Sequence, residues 1–552
     1  MAYEWLNDNS VRFLLNGYIK GKYKQDIHIR IIEILDNAEK ILGRKLDMLR
    51  KGLERGWVSF SSPIWANFGK ENGLPISCNG SYVEDSITSI LDTVAEIGVM
   101  TKYGAGTSCY MGKIRPSGSI IADGGHALGP THFASLYQEV ISVITQSNIR
   151  RGNCAVWLDI EHPDIEEWLS MRSHTEGVFH KIQHLSFGVC IGRQWFNDML
   201  NEPKGGKKRL IMAALINKRR STGYPYIFFR DHVNNNAPDV LKNNDIKIHA
   251  SNLCAEIMLP SNEEESFVCN LSSLNLLYYD DWCNTNIVKD LVYFLDAVLT
   301  EYIKKIKNIK HLERAYKFAN KWRAMGIGVL GYHSYLQSHM IPFESEAARE
   351  FNKKAHKWIS EQCKKASKKM AEEYGEPSGL KCYGRRHLCL NAIAPTTSSS
   401  LILGQVSPSI EPWESNYFEN DSAKGVFTYR NPHLIELLER KGINIERVWT
   451  DILEHDGSIQ HMECFSDLEK AVFKTAIEID QFEIIQQAAD RQPYIDQGQS
   501  LNLFVHPDKS MSYNFQLIKA AYDSGLKSLY YHKSRAVSQE LIRKNKCKAC
   551  EG

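Results

Sequence analysis

From about residue 60 to about residue 530, short apolar runs alternate with stretches of helical periodicity. "CAVWLDI" is followed by "HPDIEEWLSMR", and "HLCLNAIA" by "PTTSSSLI". Such alternation favours an α/β architecture. At 552 residues the chain is long enough for about two to four domains, or for one large α/β barrel with additions. There is no fixed-period repeat and no long low-complexity linker. Residues 1–60 read as helices, with "IHIRIIEILDNAEKILGRKLDMLRKGLERG" keeping helical spacing up to Gly56. The C-terminal "KSRAVSQELIRKNKCKACEG" is polar and basic and reads as a mobile tail. The expected division is therefore a helical region over 1–60, an α/β body over 61–531 and a flexible tail over 532–552.

Composition excludes several classes of function. A net charge of +2 with 24% charged residues argues against a nucleic-acid binder that works by bulk charge. No apolar run approaches the roughly 18 residues of a membrane span. The opening "MAYEWLNDNSVRFLLNGYIKGKYK" carries acids and amides where a signal peptide needs an apolar core. Thirteen cysteines, an odd number, suit thiols in a reducing cytoplasm better than a disulfide framework.

The stretch "ASNLCAEIMLP" spaces Asn252, Cys254 and Glu256 two residues apart. In a helix Cys254 would lie about 200° around from both neighbours. In an extended segment the three share one side, and Pro260 with Ile257, Met258 and Leu259 favours a strand or buried loop. The expectation is an extended row presenting an amide, a thiol and a carboxylate together. A buried cysteine alone usually packs as a small hydrophobe; a carboxylate in the same row needs a partner or a purpose.

Other groups stand out. Cys78 lies in "LPISCNGS" and Cys269 in "FVCNLSSLNL", and the polar turn "LPSNEEES" could fold Cys269 back beside Cys254. Metal ligation competes, but none of the three is in a CxxC or has a histidine at ligand spacing. The terminal "CKAC", Cys547 and Cys550, is flanked by lysines that favour the thiolate and disulfide exchange; half a zinc site is the competing reading. Tyr530 and Tyr531 in "SLYYHKSR" suit packing at a strand end or passage of a one-electron hole. In "AIAPTTSSSL" a strand runs into a helix start with hydroxyl caps, whose N–H groups and dipole would welcome a phosphate. In "VEDSITSILDTVAEIGVMTKYGAGTSCYMGKIRPSGS", Asp85 or Ser86 could cap a helix with an apolar stripe of Ile87, Ile90, Leu91, Val94 and Ile97. Lys113 and Arg115 follow a glycine loop, which suits nucleotide phosphates.

Taken in order, the motifs "SSPI…PISC", "VEDS", "KYGAG…IRPSGS", "NIRRGNCAVWLDIEHPDIEEWL", "SNLCAEI", "CNLSSLNL", "APTTSSS", "SIEPWESNYF", "DQGQSLNLF", "LYYHKSR" and the terminal CxxC resemble the large (α) subunit of class I ribonucleotide reductase along nearly the whole chain. The resemblance implies a ten-stranded α/β barrel with a central finger loop, preceded by a small helical region. It implies that Cys254 is the thiyl-radical residue that abstracts the 3′ hydrogen. Glu256 would accept the 3′-hydroxyl proton, and Asn252 would orient the substrate hydroxyls. Cys78 and Cys269 would become a disulfide as the 2′-hydroxyl leaves as water.

By the same resemblance Ser62, Ser77 and Gly106 match substrate contacts, and Thr397, Ser398 and Ser399 match the loop for the substrate diphosphate. Asp85, Ser86, Ile87 and Arg115, with Ala122 in the loop beyond, match the site for a deoxynucleoside triphosphate or ATP effector at a homodimer interface. "SNIRRGN" matches the loop that reports effector identity. Tyr530 and Tyr531 match the pair that relays the radical from a separate small (β) subunit with a dimetal site, and Cys547 and Cys550 match the tail dithiol that re-reduces the disulfide. Thioredoxin or glutaredoxin would be the external reductant; no metal or cofactor bound in this chain is implied.

Because Cys78 comes so early, the N-terminal ATP cone of many relatives has no room, and general on/off control by ATP and dATP is not expected. An adenosylcobalamin-dependent reductase is the nearest alternative, and the tyrosine pair weighs against it. A nucleotide-binding redox regulator or a zinc module centred on the tail would leave the Asn252, Cys254, Glu256 row unexplained.

Overall fold

The computed structural model describes residues 3–21, 23–76, 78–122, 124–144, 152–172, 182–422 and 425–534. In chain order the first eight strands are β1 Val58–Phe60, β2 Cys78–Tyr82, β3 Gly106–Tyr110, β4 Asn153–Asp159, β5 Ser186–Ile191, β6 Tyr226–Phe229, β7 Phe267–Asn275 and β8 Met325–Leu330. Strands β2 to β6 run parallel, each joined to the next through helical crossovers such as Ile87–Lys102 and Gly129–Val143. Every residue of β5, β6 and β8 is buried, as expected for strands covered on both faces.

The sheet turns back on itself. β7 lies antiparallel to β2 and parallel to β8. From β8 the pairing continues through Ile327 to Asn391, then Ile393 to Gln499, then Leu503 to His532. Leu529 opposite Ile227, antiparallel, returns it to β6. The five strands β2 to β6 and five further segments (β7, β8, 390–393, 499–504 and 528–533) thus close a ring of ten. This is the ten-stranded α/β barrel that the resemblance implies, within the α/β class that the alternating pattern favours. The expected tail boundary needs correction, because His532 and Lys533 pair with Leu503 and Phe504 and so belong to the barrel. Residues 535–552, with Cys547 and Cys550, lie outside the described residues.

The front of the chain is helical, over Asp8–Gly17, Lys24–Leu42 and Asp47–Glu54. The apparently continuous helical pattern up to Gly56 breaks at Gly43, whose φ of +66° ends the second helix in the left-handed conformation that glycine adopts without penalty. Phe13, Ile27, Ile31, Leu49 and Leu53 join the same apolar core as the sheet. Buried Arg30 fixes the contact by donating to the carbonyls of Ile64, Trp65 and Phe68 at the end of the helix Ser62–Asn67. A smaller separate core of Leu434, Leu438, Trp449, Ile452 and Phe473 supports a side unit, which the sequence reading did not single out. Among the described residues no helix is long and apolar enough to cross a membrane.

Candidate active site

Between β6 and β7 the chain enters the ring as a finger, and its tip is a turn. The N–H of Ala255 donates to Asn252 O at 3.3 Å, and Ala255 has φ +62°. Asn252 Oδ1 accepts from the N–H groups of both Glu256 and Ile257 at 3.1 Å, and Ser251 Oγ donates to Ile257 O at 2.8 Å. The extended row expected here is therefore wrong. Two buried backbone N–H groups need an acceptor, and the asparagine side chain supplies it by closing a loop over Cys254. Cys254 rides on the tip, half-buried, with Asn252 and Glu256 each 1% exposed on the flanks. The turn brings the three groups together in a different way from the strand.

The opposite half of the barrel braces this turn. Ser500 Oγ donates to Cys254 O at 2.7 Å and lies 3.2 Å from Glu256 Oε2. Ser528 Oγ donates to Ala255 O at 2.7 Å, Gly498 N to Glu256 O at 2.8 Å, and Met258 N to Gln497 Oε1 at 3.2 Å. A Cβ on Gly498 would lie 2.4 Å from Met258 Cε and 3.2 Å from Glu256 O, so a glycine lets the two backbones meet. Gln497, Gly498 and Ser500 lie in "DQGQSLNLF", a motif that points to the family without marking them as supports of the finger. The available signal was the run of amide, glycine and hydroxyl residues at positions that are buried.

Cys78 on β2 and Cys269 on β7 stand directly opposite each other across the antiparallel pair. Residues so placed have Cα atoms about 4.5–5.5 Å apart, within the span a disulfide requires. On its other side Cys78 pairs with Gly106 of β3, and Gly106 with Asn153 of β4, so one rung carries both cysteines and the glycine. Gln497 joins rung to finger: its Nε2 lies 3.6 Å from Cys269 Sγ while its Oε1 takes the Met258 N–H. Burial pushes the Cys269 thiol up, and the neighbouring Cys78 pushes it further. Such a thiol keeps its proton until something takes it.

Burial likewise pushes the Glu256 carboxyl up to about 7, against the opposing pull of its own backbone N–H, Asn252 and Ser500. A carboxyl near 7 suits proton exchange at neutral pH. Asn252 Nδ2 lies close enough to favour the ionised form yet makes no hydrogen bond among the described residues. A buried amide donor left over beside a carboxylate and a thiol is well placed for a polar ligand.

Ser62 opens the helix after β1 and is half-buried; Ser77 lies outside the described residues. Thr397, Ser398 and Ser399 begin the helix Thr397–Ile402 as expected, but the hydroxyl cap is absent. Thr396 has φ +54°, and its Oγ1 accepts from Ser409 N at 2.7 Å instead of from the helix. Ser398 Oγ lies 3.4 Å from Tyr18 Oη of the N-terminal helices.

Tyr530 and Tyr531 are buried, with ring centroids 4.3 Å apart and planes at 59°, tilted and not stacked. Tyr224 and Tyr226 pack against them. Farther away, Arg115 grips Asp85 through its backbone N–H at 3.0 Å and its Nε at 2.7 Å. Ser86, not Asp85, caps the helix Ile87–Lys102, accepting from Ser89 N. Of the expected stripe, Ile90 and Ile97 are buried, whereas Ile87 and Leu91 face outward. Ala122 lies in an exposed turn, and 147–151 of "SNIRRGN" lie outside the described residues.

One further cluster carries metal-ligating atoms, Asp451, His455 and His461 on the side unit. Its imidazoles stack at 3.7 Å and 20°, and His455 Nδ1 and His461 Nε2 lie 3.1 and 3.2 Å from the same Asp451 Oδ1, so the three side chains already satisfy one another.

The profile of the ribonucleotide reductase barrel domain matches residues 76–207, 193–379 and 378–532. The chain belongs to the ribonucleotide reductase family. Among similar solved structures is the Actinobacillus ureae class Id ribonucleotide reductase alpha subunit, 47% identical, with a TM-score of 0.90 over 98% of this chain and 99% of that one. The ribonucleoside-diphosphate reductase large subunit of Invertebrate iridescent virus 3 is 33% identical, over 91% of each chain. A large-subunit relative from Frog virus 3 (isolate Goorha) is 34% identical over 93% of this chain and 94% of its own length. The resemblance read from the motif order is thus a family relationship, the ring of ten segments is the reductase barrel, and the reaction is the reduction of ribonucleotides. The similarities are to large and alpha subunits of class I type, which favours that class over the cobalamin-dependent alternative.

Proposed function

We propose that this reductase converts ribonucleoside diphosphates to 2′-deoxyribonucleotides at the finger, with a thiyl radical at Cys254 and with Cys78 and Cys269 as the electron source. The observation that supports the assignment is the Gln497 carboxamide, whose Oε1 accepts from the Met258 N–H of the finger while its Nε2 lies 3.6 Å from the Cys269 sulfur, so that one side chain touches both parts of the proposed chemistry. The thiyl sulfur takes the 3′ hydrogen, Glu256 takes the 3′-hydroxyl proton, and Asn252 Nδ2 donates to the substrate. The 2′-hydroxyl leaves as water with a proton from the thiol pair. The pair gives up two electrons and ends as a disulfide, and Cys254 returns its hydrogen to C3′. The net change is one ribonucleotide and two thiols to one deoxyribonucleotide, one disulfide and one water. Ser62, Ser77 and Gly106 would line the nucleoside, and Thr397, Ser398 and Ser399 would hold the diphosphate.

The radical would come from a dimetal small subunit through Tyr531 and Tyr530. Cys547 and Cys550 would renew the dithiol, with thioredoxin or glutaredoxin behind them, in a cytoplasmic setting. A limited-turnover assay tests this reading. With a competent small subunit, labelled CDP, an effector and no external reductant, product should stop at about two per chain, one from the Cys78–Cys269 pair and one more after Cys547 and Cys550 have re-reduced it, with the Cys78–Cys269 disulfide found by peptide mapping. Turnover with adenosylcobalamin alone would overturn the class I assignment. Product formation in Cys269→Ser under the same conditions would overturn the assigned electron source.

Effector control is proposed at Asp85, Ser86 and Ile87, at the start of a helix whose outward Ile87 and Leu91 suit pairing with a second copy, together with Arg115 and Ala122 in the segment after β3. Labelled dATP should saturate at one site per chain. Arg115→Ala should weaken it by about 10- to 100-fold through loss of a charge-assisted contact. Binding unchanged in Arg115→Ala would overturn the assignment of this site.

A further inference from the structure

Four phenols meet between β6 and the closing segment of the barrel, two more than the proposed relay uses. Tyr224 precedes β6 and is 3% exposed. Its hydroxyl lies 3.0 Å from that of Tyr531, with ring centroids 5.2 Å apart at 72°. Its ring has two further neighbours: Phe187 stacks at 5.7 Å and 15°, and the Arg172 guanidinium carbon lies 4.5 Å from its centroid. Ser186 Oγ offers the Tyr224 hydroxyl a second contact at 3.4 Å. Tyr226 fills the remaining space, 5.1 Å from both Tyr224 and Tyr531 and 4.7 Å from Tyr530. A hydroxyl pair held this way is more specific than ring packing requires.

We propose that Tyr224 is a third redox-active phenol, exchanging a hydrogen atom with Tyr531 across their hydroxyl contact. The inference rests on reading Tyr530 and Tyr531 as the radical relay. Oxidising a buried phenol requires its proton to leave with the electron, because a phenol radical cation in an apolar site is costly. A 3.0 Å O···O contact is at the long end of the normal O–H···O range and gives the proton a direct path. In the exchange, the Tyr531 phenoxyl radical takes the hydroxyl hydrogen of Tyr224. One O–H bond breaks and an equivalent one forms, and one electron and one proton move together. The step is close to energetically neutral, and the radical delivered by the small subunit is the only oxidant needed. The Arg172 cation over the ring disfavours removal of the electron ahead of the proton, so it holds Tyr224 to this concerted route. Tyr224 is then a side station reached through Tyr531.

The test places 3-aminotyrosine, which is more easily oxidised and traps the radical, at one position at a time. The complete two-subunit enzyme with CDP and effector is then followed by EPR. An aminotyrosyl radical is expected at 224, and it should disappear when Tyr531→Phe is added. The same probe at 531 is the control for the relay itself. A radical at 531 with none at 224 overturns the inference and leaves the relay standing. A radical at 224 that survives Tyr531→Phe overturns the exchange step. No radical at 531 removes the relay and this inference with it. Tyr224→Phe, which keeps the ring, is expected to lower turnover by about fivefold, the effect of one neutral hydrogen bond in the transition state. It should also abolish the exchangeable-proton coupling that the 224 hydroxyl gives to the trapped radical at 531. Persistence of that coupling would place the partner proton elsewhere and overturn the assignment.

Discussion

Cys254→Ser is expected to lower ribonucleotide reduction by at least about ten-thousandfold while leaving the fold and effector binding intact. A thiol S–H is weak enough for a tyrosyl radical to oxidise; a serine O–H is not, so the variant removes the hydrogen-abstracting atom without changing the shape of the site. Losses of this size are typical when the atom that performs the first bond change is deleted. The turn does not depend on the sulfur for its conformation, since Asn252 Oδ1, Ser251 Oγ, Ser500 Oγ and Ser528 Oγ hold it through backbone groups. Thermal stability should therefore stay within about 1 kcal/mol of wild type. Labelled CDP with a competent small subunit reads the activity, and calorimetry reads the stability. Residual turnover above about one part in a hundred would remove Cys254 from its assigned role.

Glu256→Gln should separate function from stability. Activity is expected to fall by about 10²- to 10⁴-fold, the usual contribution of a positioned general base. In wild type, kcat should rise with pH through about 7 as the buried carboxyl ionises. The stability effect has the opposite sign. The folded-state value of about 7 lies above the ordinary 4.5, so the folded chain holds this proton more tightly than the unfolded chain. The resulting stabilisation is complete below pH about 4.5 and is lost as pH rises through about 7. The loss amounts to up to about 3 kcal/mol, from 1.36 kcal/mol for each of about 2.5 pKa units. Glutamine carries no such charge, so the melting temperature of the variant relative to wild type should increase between pH 5 and pH 8. A difference that stays flat across that range would mean that Glu256 is not the buried, proton-holding group described above.

Much of this protein can be read from the order of its residues. Alternating apolar and helical stretches lead to an α/β architecture, because strands covered on both faces and the helices that cover them have distinct local patterns, while the closed ten-stranded barrel comes from the family resemblance. Motif order along the chain identifies the family and picks out Cys78, Cys254, Glu256 and Cys269. Local pattern is less dependable where a side chain outside the pattern settles the backbone. Asn252 captures two N–H groups and bends an expected extended row into a turn. Thr396 turns left-handed and its hydroxyl oxygen accepts from the Ser409 N–H, so the cap expected from its residue type is not made.

What sequence by itself determined is the kind of fold and the family, and with the family the residues proposed to carry the chemistry, since these depend on residue type and spacing along one chain. Only the tertiary structure decided that Cys78 faces Cys269, that Gln497 joins that pair to the finger, and that Tyr224 meets Tyr531 hydroxyl to hydroxyl. Those contacts join residues far apart in sequence, and they form only when the closing of the ring removes water from both partners at once.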